Sequence, residues 1–132
     1  MEVYREILPE SYLLILVDDI PPRADADQIL HKSLRRAAHG GKASVWVDCS
    51  NLRQLPGHAA ELLRRYRLRL GQRGISLILC HLSEEVCQAL LTQDASLSSL
   101  VVPTLLDAQR YCQQRVNRQR ASWQRQRQRQ IR

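Results

Sequence analysis

Two hydrophobic patterns take turns along this chain. "SYLLILVDDI" (11–20) is a continuous apolar run of branched residues, too short for a helix, and reads as a buried strand. A shorter strand is expected just before it in "VYREIL" (3–8), and Pro21-Pro22 end the run. Asp25 then stands at the N-cap of a helix expected over about 26–39, with Ile29, Leu30, Leu34, Ala37 and Ala38 on one face and Gly40-Gly41 at its end.

The alternation repeats. "KASVWVDCSNL" (42–52) is a second strong strand, "QLPG" (54–57) breaks the chain, and residues 58–73 place Ala59, Leu62, Leu63, Tyr66 and Leu70 at helical spacing. Arg64, Arg65, Arg67, Arg69 and Arg73 fall mainly off that stripe, and Gly74 stops the helix. "ISLILCHL" (75–82) is a third strong strand, its mostly apolar run suiting a sheet covered by helices. Ser83 caps a short helix to about 92, with Glu84-Glu85 in its first turn. "SLSSLVVP" (96–103) reads as the last strand. Thr104 opens a final helix with Asp107 as capping-box partner, and its stripe Leu105, Ala108, Cys112, Val116 reaches Trp123 at the same step. Strand and helix in strict alternation predict an α/β fold: a mostly parallel, four- to five-stranded sheet with about four helices.

Length and composition place limits on this picture. At 132 residues with 44% hydrophobic content and no Phe, the chain suits a single domain with an aliphatic core. The net charge of +7 sits at one end: residues 113–132 hold seven Arg and no acid, leaving 13 basic and 13 acidic residues before them. The expected organisation is a neutral domain over 1–112 and an Arg-rich extension or tail over 113–132, so the overall charge is no argument that the body binds nucleic acid. No apolar run approaches a membrane span and no signal sequence is evident, so a cytosolic protein is expected.

Candidate chemistry is sparse. Cys49, Cys80, Cys87 and Cys112 are spaced 31, 7 and 25 apart with no C-x-x-C pair, which predicts reduced thiols. Cys80, His81 and Cys87 are metal-ligand types, but Cys80 and His81 are adjacent in a strand and so expected on opposite faces; no metal or other cofactor is predicted. Asp48 and Ser50 are placed to hold the loop after their strand by Asx- or ST-type hydrogen bonds. No Gly-rich phosphate loop is present, and no nucleophile and base form a matched pair, so an enzyme is not expected.

From Ser44 to about Ala108 the chain resembles the STAS family, the domain shared by sulfate transporters and anti-sigma factor antagonists. "SVWVDCSNL" looks like the family's central strand ending in Asp-x-Ser. "ELLRRYRLRLGQRGISLILCHLSEEVCQALL" looks like its helix, Gly turn, strand and short helix, and "LVVPTLLDAQ" like its closing strand and Thr-started helix. In members controlled by phosphorylation the second strand-to-helix loop bears Asp-Ser-Ser-Gly, whose serine accepts phosphate. Ungapped register from Asp48 puts Pro56, Gly57, His58 and Ala59 there, so His58 stands at the phospho-acceptor position and the hydroxyl is absent.

The resemblance implies a non-enzymatic, signalling and transcription-regulating domain that binds a protein partner, an anti-sigma factor or kinase-like regulator, without a serine switch. The expected contact residues are Leu55, Pro56, Gly57, His58, Ala59, Glu61, His81 and Ser83. For His58 a plain helix-start role stands beside partner contact. The arginines of the same helix read as a solvated face or as a docking stripe for an acidic partner. The alternative implied by the family is an accessory subunit of a membrane lipid-transport complex, with the Arg-rich tail on an acidic surface, lipid or nucleic acid.

Overall fold

The computed structural model describes residues 1–19 and 24–114; Pro21-Pro22 and the Arg-rich segment from 115 on lie outside the described residues. The elements run β1 (Glu2–Ile7), β2 (Ser11–Val17), α1 (Ala26–Ala38), β3 (Ser44–Asn51), α2 (Ala59–Gln72), β4 (Ser76–Cys80), α3 (Glu84–Gln93), a 3-10 segment (Ala95–Leu100) and β5 (Val101–Val102). A last helix, α4, begins at 105 and is described to 114. The sheet has five strands in the order β1-β2-β3-β4-β5, with β1 antiparallel to β2 and the other neighbours parallel.

Side-chain alternation in the central strands feeds two cores. One face carries Tyr12, Leu14, Leu16, Val45, Val47, Leu77 and Leu79, which pack with Leu30 and Leu34 of α1, Leu63, Tyr66 and Leu70 of α2, and Val86 and Leu90 of α3. The other face carries Leu13, Trp46 and Ile78, which close on Ala108 of α4 with Leu105 and Cys112 beside them. The two buried serines that start β2 and β3 satisfy each other, Ser11 Oγ to Ser44 Oγ at 2.8 Å.

Helix ends follow local chemistry. Arg73 caps α2, Gly74 takes φ +74°, and Gly74 N–H and Ile75 N–H donate to the carbonyls of Gly71 and Leu70 at 3.1 and 2.8 Å, a complete Schellman turn. Ser83 Oγ accepts from Val86 N–H at 3.1 Å at the start of α3. Thr104 and Asp107 form both halves of a capping box, with Asp107 N–H donating to Thr104 Oγ1 and Thr104 N–H to the Asp107 carboxylate, each at 3.2 Å.

Two strand expectations need correction. Most of "SLSSLVVP" is not strand: Ala95–Leu100 coils into a 3-10 segment and only Val101–Val102 pair with β4. Leu97 and Leu100 are both buried; three apart, they share a face in a 3-10 turn but would oppose each other in a strand. Asp94 fixes this choice by accepting from Ser96 N–H at 3.0 Å. The third strong strand also stops at Cys80 rather than at 82, because His81 adopts φ +57° and leaves the pleat.

Candidate functional site

The loop after β3 is built by carboxylates. Asp48 Oδ1 accepts from Ser50 N–H at 2.9 Å and turns the chain as β3 ends. Leu52 is buried, with its amide on the Cys49 carbonyl at 3.1 Å. Asp18, just past β2, then accepts from the backbone N–H groups of Arg53 and Gln54. Asp27, in the first turn of α1, accepts from His58 N–H at 3.0 Å. Three acids from three segments therefore hold the backbone from 50 to 58.

His58 is the N-cap residue of α2, with φ −110° and no side-chain cap bond. Its side chain is 75% exposed, and Nδ1 lies 4.0 Å from Glu61 Oε2. Glu61 in turn accepts from Arg65 at 2.7 Å. Gly57 is exposed and Pro56 half-buried; among the described residues, a Cβ added at Gly57 would have only Asp27 Oδ2, at 3.9 Å, within contact range. Leu55 packs against the core and Ala59 is fully buried, so these two anchor the loop from below. Leu55, Pro56 and Gly57 also border a cleft of about 500 Å³ shared with Asp18, Asp19 and Asp27.

This arrangement changes the electrostatics expected of the helix start. The first amides of a helix attract an anion. Here Asp27 already supplies one, and Asp18 and Asp19 lie in the same cleft. Asp18 and Asp27 were not among the candidate residues, because their contacts to the loop span 31 to 36 positions in sequence. The only local signs are acids directly after a strand and in a helix's first turn.

The arginines of α2 divide into different roles. Arg65 pairs with Glu61, Arg64 lies 4.0 Å from Asp94, and Arg67 donates to the Ser96 carbonyl at 2.9 Å. Arg73 donates to the Ala38 carbonyl at 2.9 Å and Arg69 stacks over Tyr66 at 5.6 Å. Much of the stripe therefore ties α2 to its surroundings.

Ser83 is exposed and serves as the cap of α3. His81 belongs with a second group, since its imidazole, the Asp48 carboxylate and the Cys80 thiol lie within 4.8 Å of one another. The expectation that Cys80 and His81 point apart fails because the left-handed backbone at His81 breaks strand alternation. Burial, with Asp48 adding like-charge repulsion, pushes the Cys80 thiol up to about 12. Cys49 is likewise pushed up to about 12, first by burial and then by Cys80 and Asp48, so both thiols are protonated at neutral pH.

No family model and no curated protein matches the chain. Solved structures do. The serine-to-glutamate variant of Moorella thermoacetica RsbS superposes with a TM-score of 0.69 at 13% identity, over 86% of this chain and 99% of that one. The protein TM1081 matches with a TM-score of 0.65 at 12% identity, over 80% of this chain and 84% of its own. A chain of the stressosome, described as a signal integration and transduction hub, matches at 0.60 and 12%, over 78% of this chain and 90% of its own. With the element order and mixed sheet above, these likenesses show that the chain has a STAS-like α/β fold.

Proposed function

We propose that the protein is a non-enzymatic regulatory module that docks a protein partner through the Pro56-Gly57-His58 loop and the first turn of α2. The observation that carries this reading is the pinned loop. Its backbone is held by Asp18 and Asp27 while Gly57 and His58 face solvent, a surface already ordered before a partner arrives. Glu61 and the rim of the neighbouring cleft extend it. Likeness of fold to RsbS and to a chain of a signal-transduction hub supports a signalling role, and the family resemblance of the sequence proposes an anti-sigma factor or kinase-like regulator as the class of partner.

By the register of the family resemblance His58 stands at the phospho-acceptor position, and with no hydroxyl there and its amide held by Asp27 the proposed interaction is not switched by phosphate at this place. An added negative charge at 58 would face Glu61, and the acids of the adjoining cleft. The test is affinity capture with the full chain from its native extract, quantified by mass spectrometry. A partner held by the wild-type chain should fall at least tenfold with Gly57→Trp or His58→Glu and persist with Arg36→Ala on α1. Equal recovery on all the baits, or no protein recovered by the wild-type chain, overturns the reading.

A further inference from the structure

The geometry points to a site for a thiophilic divalent cation, Zn²⁺ being the best fit, formed by Asp48, Cys80 and His81 at the C-terminal ends of β3 and β4. Asp48 and Cys80 are direct partners in the parallel register of those strands, so their side chains rise from the same face. His81 would leave that face if the strand continued. Its φ of +57° returns the imidazole to it, and the three donor atoms then lie within 4.8 Å of one another.

The dimensions and chemistry suit the ion. Bonds of about 2.3 Å to sulfur and 2.0–2.2 Å to nitrogen and oxygen give tetrahedral edges of about 3.3–3.6 Å, so closure asks for a contraction of at most about 1.5 Å. Side-chain rotation of the half-buried His81 and of Asp48 can provide it. One Asp48 oxygen accepts from Ser50 N–H, which orients the carboxylate while its remaining lone pairs stay available to the metal. A carboxylate, a thiolate and a neutral imidazole form a borderline-soft set that selects Zn²⁺ or Co²⁺ over Mg²⁺ or Ca²⁺. Their joint charge of about −2 cancels that of the cation, which suits a group whose Cys80 is wholly buried. On binding, the S–H bond to the Val47 carbonyl, with sulfur and oxygen 3.5 Å apart, is lost; the sulfur keeps the electron pair and donates it to the metal, and the proton passes to buffer. The three ligands leave a fourth position for water or a group from a partner.

Cobalt spectroscopy on the full chain tests the site directly. In a Cys87→Ser/Cys112→Ser background, one equivalent of Co²⁺ should produce a thiolate-to-cobalt charge-transfer band and intense tetrahedral d–d bands, both abolished by Zn²⁺. Cys80→Ser should remove the charge-transfer band and Cys49→Ser should leave it. Asp48→Asn and His81→Gly should each weaken Co²⁺ binding at least tenfold, and glycine suits the backbone at 81, so that variant keeps the fold. Circular dichroism matched to wild type confirms that each variant is folded. A charge-transfer band that survives Cys80→Ser, affinity unchanged by His81→Gly, or no band with Co²⁺ in hundredfold excess overturns the proposal.

Discussion

His81 holds a backbone conformation that an L-residue enters at a cost of about 1–2 kcal/mol. Its amide donates to the Pro103 carbonyl at 3.2 Å, so the turn is tied to the segment that leads into α4. Glycine at this position carries no such penalty, whereas a β-branched residue carries a larger one. In metal-free protein His81→Gly should therefore raise unfolding stability by about 1 kcal/mol, and His81→Val should lower it by at least as much. Urea denaturation with both variants measures this, and a loss with His81→Gly equal to that with His81→Val would show that contacts of the imidazole outweigh the backbone. The same residue marks where sequence reading of the site stopped. Strand alternation put His81 opposite Cys80, and nothing in "LILCHLSEE" signals a non-glycine residue with positive φ. Asp48 was legible as the anchor of its own turn because its partner is two residues away. Asp18 and Asp27 were not legible as anchors of the 53–58 loop, since their partners arrive only when β2, α1 and β3 are assembled.

Elements with a strong period and a chemical stop signal could be read from sequence nearly to the residue. The Schellman turn at Gly74, the Ser83 cap and the Thr104–Asp107 box each convert a local motif into a helix boundary. The 3-10 segment escaped because Leu97, Leu100, Val101 and Val102 resemble a strand's apolar content. What decided the outcome was the competing bond from Asp94 to Ser96 and the burial of both leucines on one side. Capping also sets an energetic scale. Thr104 Oγ1 donates to Asp107 at 2.8 Å and accepts from its amide, so Thr104→Ala removes the side-chain cap, leaves the Asp107 carboxylate only the residue-104 amide, and should cost about 1 kcal/mol. Thr104→Ser, which keeps the oxygen, should lie within a few tenths of a kcal/mol of wild type. Thermal unfolding of the pair separates the cap from any effect of the lost methyl, because both substitutions remove it.

At the scale of the whole molecule the two faces of the sheet are unequal. α1, α2 and α3 cover one face with a large aliphatic core, while Leu13, Trp46 and Ile78 on the other are closed by Ala108 and its neighbours in α4. The metal-ligand group lies on this second face, since Asp48 and Cys80 continue the alternation of Trp46 and Ile78 along the same paired strands. α4 thus covers the small core on the same face of the sheet as that group. A chain ended at residue 114 keeps this cover, and one ended at residue 103 loses it. A single Trp buries about 150–250 Å², so the shorter chain should be destabilised by on the order of 3–5 kcal/mol relative to the longer one. Both truncations delete Trp123, leaving Trp46, 7% exposed in the fold, as the sole Trp. Its emission should therefore be blue in the 1–114 chain and shift to the red in the 1–103 chain. If both chains show the same emission and the same urea midpoint, α4 contributes nothing to the second core. A red shift together with lost cobalt absorption in the 1–103 chain would instead place α4, the second core and the Asp48, Cys80, His81 group in one cooperative unit.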